Sequence, residues 1–333
     1  MSVVTILGAG TWGTALAHCL GGAGHEIRIW SALRQEIRDL QQTRRNPHLP
    51  DMILPEDILF TDSLQAALAG AKVVLMVVPS PFVRSATAAA APFLTREMIL
   101  ACASKGLEAS TDLLLTEVME DELRRKGASV RGIAALSGPT HAEEVARDLP
   151  TLIVSASGQE EIAAEVQVLF NGTCIRPYTN GDLRGVEICG ALKNVEALAV
   201  GIARGLGYGD NTAAALMTRG MEEIRRLGLA MGCQERTFFG LAGIGDLIVT
   251  ATSMHSRNNR AGMLIGRGKS AEEAVREIGM VVEGINALPA AIHLCRRFGM
   301  EMPIIESVHE IVENGAKPAE IVRELMNRKL KEE

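Results

Sequence analysis

Seven short apolar runs, separated by helical or loop stretches, punctuate the first 180 residues, and this alternation constrains the fold more than any single motif. They are VVTIL (3–7), EIRIW (26–30), KVVLMVV (72–78), MILACAS (98–104), IAALSG (133–138), TLIVSA (151–156) and TCIRPYT (173–179). Val- and Ile-rich runs bounded by turn residues read as strands. Strands alternating with helices need crossover connections, hence a mostly parallel sheet covered by helices on both faces. After about residue 182 the strand signal fades. Segments such as GALKNVEALAVGIARGLG, NTAAALMTRGMEEIRRLGLAMG and EGINALPAAIHLCRRFG have helical spacing and end at glycines. The expectation is an α/β chain with a doubly wound, mostly parallel sheet in residues 1–183 and an all-helical domain in 184–333. No Ser- or Pro-rich linker separates them.

The first run ends in GAGTWGTA, which places Gly8, Gly10 and Gly13 between a strand and an apolar helix. In that context GxGxxG reads as a Rossmann-type dinucleotide seat. Gly8 permits the tight turn, Gly10 lets the backbone approach a pyrophosphate, and Gly13 lets the helix pack on the sheet. The pyrophosphate then meets the helix N-terminus. An NAD site usually ends its second strand in a carboxylate that accepts from the ribose 2′-OH. Here the strand runs out at Trp30-Ser31-Ala32 without one. Ser31 can donate to a phosphate and Arg34 can pair with one, which leans the reading toward NADP(H), tolerated or preferred over NAD. Arg34 also reads equally well as a solvated helix residue.

Composition narrows the partners. The net charge of −6, with Lys and Arg scattered, is unlike a phosphate-backbone binder. An aromatic share of 3% leaves little with which to stack single-stranded bases. Nucleic acid is therefore not an expected partner. The six cysteines lie far apart and form no CxxC, which fits reduced thiols rather than zinc ligands or a disulfide framework, so no metal is expected. The first charged residue is Glu26, yet the N-terminus lacks the basic segment of a signal peptide and is too glycine-rich for a membrane span. A cytoplasmic location follows as the expectation.

Five phrases further along bring in chemistry. ASKGLE places Lys105 in a strand-to-helix turn at the sheet edge where such folds bind ligands. SGPTHAEE sets Thr140 three residues before Glu143, a capping-box spacing, just after Gly138. GALKNVEAL buries Lys193 and Asn194 in an apolar helix, where a lysine is costly unless paired or used. In GIGDLIVTAT, Asp246 and Thr250 are four apart and share a helix face. HSRNNR clusters Ser256, Arg257 and Asn258 at a helix start, a donor set suited to a phosphate monoester.

Together with VPS, LPT, TRGMEEIRRLG, VVEG and MPI, these phrases occur in the order in which they stand in NAD(P)-dependent glycerol-3-phosphate dehydrogenases of the bacterial biosynthetic type. The chain resembles that family along essentially its whole length. KN, GDL and SRN at their spacing are specific to it among Rossmann proteins. The resemblance implies reversible reduction of dihydroxyacetone phosphate to sn-glycerol 3-phosphate for glycerophospholipid synthesis, by a homodimer joined through its helical halves. It implies that Lys193 handles the proton at the substrate C2 oxygen. By the same resemblance, Lys105, Gly138, Thr140, Asp246, Ser256, Arg257 and Asn258 are expected to line the substrate site, with Asn194 and Thr250 beside them. Thr11, Trp12, Arg34, Lys105, Ala142, Arg257, Val281 and Glu283 fall where the family contacts its cofactor.

Burial and the Lys105 cation should lower the Lys193 pKa, with Asp246 opposing part of that shift. Lys105 is expected near the oxygen that gains negative charge. Two departures from the family pattern, His48 before Leu-Pro and Met280 before VVEG, bear on affinity rather than reaction type. Two other readings stay open: a two-domain reductase of the ketopantoate or 3-hydroxyacid type, and a non-catalytic NAD(P) sensor.

Overall fold

A computed structural model describes residues 1–330 and 332. The chain forms two compact units, Met1–Lys105 with Leu113–Glu187, and Gly106–Asp112 with Ile188 onward. In chain order the strands are β1 (Val3–Leu7), β2 (Glu26–Trp30), β3 (Leu59–Thr61), β4 (Val73–Met76), β5 (Ile99–Cys102), β6 (Leu107–Glu108), β7 (Leu113–Leu114), β8 (Gly132–Ser137), β9 (Thr151–Ala156) and β10 (Ile175–Asn180). The helices begin with α1 (Thr11–Gly22), α2 (Arg34–Thr43), α3 (Leu64–Leu68), α4 (Val83–Ala90), α5 (Leu115–Lys126), α6 (Ala142–Val145) and α7 (Glu160–Val168). They continue as α8 (Leu183–Gly205), α9 (Asp210–Ala230), α10 (Glu235–Phe238), α11 (Asp246–Thr252), α12 (Arg257–Gly266), α13 (Ala271–Ile278), α14 (Glu283–Phe298), α15 (Pro303–Glu313) and α16 (Pro318–Met326).

Among the described residues, eight strands make one sheet in the order β10-β9-β8-β5-β4-β1-β2-β3, with β8–β9 antiparallel. The apolar runs are continuous because both faces are covered, and the period-2 alternation divides each strand between two cores. Val73 and Leu75 of β4 join Ile6, Leu16 and Leu20 on one face; Val74 and Met76 join Leu7, Leu100 and Met119 on the other. The sequence reading omitted β3, whose three residues LFT are too short to register as an apolar run.

Register fixes where ligands can sit. Leu7 pairs with Trp30 and Met76, and Met76 pairs with Cys102, so β1, β2, β4 and β5 end level. The chain departs from β1 toward β2 on one side, while β4 flanks it on the other. That reversal makes the crevice beyond β1 and β4 the topological switch point.

In the helical unit α8 is buried along nearly all its length, and α12 lies against it through glycines. A Cβ on Gly262 would stand 2.2 Å from the Leu198 carbonyl oxygen, so the two backbones meet directly. Among the described residues no single helix is long and apolar enough to cross a membrane. The same residues contain no group of three or more His, Cys, Asp or Glu suited to a metal ion.

Inside this unit Glu196 of α8 is fully buried, and among the described residues neither of its carboxyl oxygens has a partner. Burial, aided by the Glu223 charge, pushes its carboxyl well above the usual range. Glu223 is raised as well, by burial, although it accepts backbone N–H bonds from Ile304 and Ile305 at the start of α15. A carboxyl with a raised folded-state pKa contributes full stability below its unfolded value of 4.5 and loses it as pH climbs toward the folded value. Glu196→Gln should therefore melt like the wild type near pH 5 and above it near pH 8, by roughly 2–4 °C for each kcal/mol recovered. Melting curves at the two pH values check this, and an equal shift at both would contradict it.

Candidate active site

In the first unit Gly8 adopts φ +128°, and a Cβ there would lie 2.8 Å from the Val77 backbone. A Cβ on Gly13 would lie 2.1 Å from the Gly8 carbonyl oxygen. Gly10, by contrast, meets nothing within 4 Å and faces open space. The α1 N-terminus has no side-chain cap and no acidic residue in its first turn, so no side chain of that turn competes with an anion for its N–H groups. Thr11 Oγ1 is buried and has no partner among the described residues. This donor set and the open cradle at Gly10 fit a dinucleotide pyrophosphate. Trp12 packs beside the same turn, on the core of the sheet.

The end of β2 departs from the reading of the sequence. Gly8 N–H donates to the Trp30 carbonyl at 2.8 Å, which brings residue 31 against the glycine turn. Ser31 is buried; its hydroxyl accepts from Leu33 N–H and donates to Glu36 Oε2 at 2.6 Å. The strand end therefore does have an acid, delivered from the first turn of α2 instead of from the strand itself. Ser31's proton is committed to that carboxylate, not open to a phosphate. Arg34 Nε lies 3.0 Å from Asp62 beyond β3, and its side chain is 79% exposed. Asn46 Nδ2 donates to the Ala9 carbonyl at 3.3 Å and ties the loop that contains His48 back to the glycine turn. Sequence reasoning missed Glu36 because it looked for an acid at the strand's last residue. The signal available was the short Ser-x-Leu turn before Glu36.

At the neighbouring strand ends, Lys105 Nζ donates to the Gly138 carbonyl at 2.8 Å and to Thr140 Oγ1 at 3.1 Å. The Thr140 hydroxyl donates to the same carbonyl at 3.0 Å. Two expectations change here. Thr140 is no helix cap, because α6 starts later, with His141 in the N-cap position and no side-chain cap bond. Lys105 leads into β6 and β7 rather than directly into a helix, since a helix does not form until Leu115. Ala142 is the buried first residue of α6.

The helical unit gathers a second group. Lys193 Nζ lies 2.8 Å from Asp246 Oδ1 and donates to Thr250 Oγ1; Thr250 in turn reaches Asp246 Oδ1 at 3.3 Å. All three are at most 5% exposed. The Lys193 ammonium is thus buried and paired with the Asp246 carboxylate. Removing either partner of such a pair strands a buried charge. Asp246 heads α11 after the wide turn Leu241–Gly245, where Gly243 leaves helical geometry at φ −92°, ψ −107°.

Beside that pair, Asn258 Nδ2 donates to Asn194 Oδ1, and Asn258 Oδ1 accepts from Gly284 N–H, both at 2.9 Å. Asn194 Nδ2 donates to the Gly190 carbonyl. These amides brace α8, α12 and α14 against one another, a task the donor cluster in the sequence did not suggest. Ser256 is the N-cap of α12 and accepts from Asn259 N–H, so Arg257 occupies the first helical position. Val281 and Glu283 flank Val282, the N-cap of α14.

Comparison with known proteins agrees with this architecture. Residues 3–163 match the model of the NAD-dependent glycerol-3-phosphate dehydrogenase N-terminus, and 182–323 match that of its C-terminus. A glycerol-3-phosphate dehydrogenase (NAD(P)+) of Lactobacillus delbrueckii subsp. bulgaricus is 55% identical over 335 residues, covering 100% of this chain and 99% of the relative. One from Pelotomaculum thermopropionicum is 48% identical, covering 98% and 93%. The crystal structure of glycerol-3-phosphate dehydrogenase from Coxiella burnetii superimposes with a TM-score of 0.93 at 37% identity, covering 98% of this chain and 99% of that one.

Proposed function

The chain belongs to the NAD-dependent glycerol-3-phosphate dehydrogenase family, and from that premise we propose how its residues divide the reaction. The protein is an NAD(P)-dependent oxidoreductase that interconverts dihydroxyacetone phosphate and sn-glycerol 3-phosphate. Family membership favours this over a reductase of the ketopantoate or 3-hydroxyacid type and over a non-catalytic NAD(P) sensor. When bound, the nicotinamide cofactor supplies the hydride to C2 and takes it back in the reverse reaction.

The observation that carries the assignment of roles is the buried Lys193–Asp246–Thr250 group. Lys193 as ammonium gives its proton to the C2 oxygen during reduction; as amine it takes that proton during oxidation. Asp246 and Thr250 hold the ammonium and limit its rotamers, so the donor stays positioned while the substrate changes. Lys105, held by Gly138 and Thr140, is a fixed cation for the substrate. Gly8, Gly10, Thr11 and the first turn of α1 would seat the pyrophosphate, with Trp12, Ala142, Val281 and Glu283 as further cofactor contacts.

The phosphate of the substrate falls to Arg257 and the N-terminal turn of α12, where Ser256 holds the first turn in place. Asn194 and Asn258 then act mainly by positioning α12. The same reading places the enzyme in the cytoplasm, as a homodimer. Arg257→Lys tests the clamp. Losing the planar fork should raise KM for dihydroxyacetone phosphate by roughly tenfold or more while kcat falls far less. An unchanged KM would assign the phosphate to other residues.

A further inference from the structure

We propose that Glu36 makes this enzyme select NADH over NADPH, an inference that rests on the dehydrogenase reading above. Three observations place the carboxylate. Gly8 N–H bonds to Trp30 O, so the residue after β2 adjoins the glycine turn that seats the pyrophosphate. Ser31, that residue, is buried and donates to Glu36 Oε2 at 2.6 Å. Asn46, just after α2, donates to the Ala9 carbonyl of that glycine turn and so ties the far end of the helix that carries Glu36 to it. Glu36 is half-buried, so one oxygen is held by Ser31 while the carboxylate keeps further acceptor sites.

In dinucleotide folds an acid at this strand end accepts from the ribose 2′-OH, and its charge repels a 2′-phosphate. Here the acid comes from α2, and Ser31 fixes its rotamer. The cation that could offset it, Arg34, is paired with Asp62 on the β3 side. Charge balance at the strand end therefore favours a free hydroxyl over a phosphate.

A merely structural Glu36, capping the turn through Ser31, would affect both cofactors alike. Glu36→Gln separates the two roles because the amide keeps an acceptor for the Ser31 hydroxyl and loses the charge. The test is equilibrium titration of NADH and NADPH, read by nicotinamide fluorescence and by calorimetry, on the wild type and on Glu36→Gln. The wild type should bind NADH at least roughly tenfold tighter than NADPH. The variant should narrow that ratio on the order of tenfold or more, chiefly by gaining NADPH affinity. Equal changes in both Kd values, or tighter NADPH binding by the wild type, would overturn the proposal. Rates with dihydroxyacetone phosphate keep the two readings apart. Turnover with an unselective cofactor site overturns the role of Glu36 alone, whereas cofactor binding without turnover overturns the dehydrogenase reading.

Discussion

Lys193→Ala is expected to abolish turnover, by roughly 10²–10⁴-fold, the range that removal of a positioned proton donor produces. NADH affinity should stay within about threefold, because the residues that fit the pyrophosphate belong to the glycine turn and α1. The loss is large because the substitution removes the only amine in the buried Lys193–Asp246–Thr250 group. It also strands Asp246, which is 1% exposed. Breaking a buried pair costs about 3–5 kcal/mol, so the single variant is expected to melt earlier. The Lys193→Met, Asp246→Asn double variant removes that charge and should recover stability without recovering activity. Melting curves beside initial rates distinguish the two effects. Turnover close to the wild type in either variant would remove Lys193 from the proton path.

Gly13→Ala should bring the second large loss, this time in cofactor binding. The added Cβ would lie 2.1 Å from the Gly8 carbonyl oxygen, a backbone atom that cannot turn aside. Either α1 moves off β1 or the glycine turn opens, and both displace the N–H groups that meet the pyrophosphate. Overpacking of this kind costs about 1–3 kcal/mol. If cofactor binding must restore the original approach, the same energy appears as roughly 5- to 150-fold in Kd. Gly10→Ala is the control, since a Cβ there meets no protein atom within 4 Å, although it stands where the cofactor would pass. It should leave the melting temperature unchanged while Gly13→Ala lowers it. Calorimetry of NADH binding on both variants checks the pair, and full affinity in Gly13→Ala would contradict the role given to this turn.

Much of the architecture was legible because it follows from periodicity. Both-face burial makes β4 and β5 continuous apolar runs, and the switch to helical spacing after β10 is equally plain. Short elements were not legible: β3 is three residues long and takes its order from pairing with β2. Lys193 stood out because a lysine in an apolar helix needs a partner, and the spacing of Asp246 and Thr250 suggested their shared face.

The residues that read wrongly are those whose partners come from elsewhere in the fold. Ser31 reads as a free donor in the sequence, but in the fold α2 returns Glu36 to it. Thr140 had the spacing of a cap, yet Lys105 and Gly138 claim its hydroxyl. Glu187, Glu196 and Glu223 carry no signal of burial in the sequence, and all three are buried. Glu187 accepts from both the backbone and the hydroxyl of Thr116, and burial still pushes it up to about 7. Side-chain burial on a helix enclosed along nearly all its length, as for Glu187 and Glu196 of α8, has no periodic signature.

The central claim, that this chain reduces a phosphorylated ketone by hydride transfer with proton donation from the helical unit, is tested most directly by initial rates of NADH oxidation. Dihydroxyacetone phosphate and unphosphorylated dihydroxyacetone should be compared on the same enzyme, with the product identified. The expected result is rapid, stoichiometric formation of sn-glycerol 3-phosphate from the first and at most a trace of reaction with the second. NADH binding without oxidation on addition of dihydroxyacetone phosphate, or equal rates with both ketones, would contradict the account.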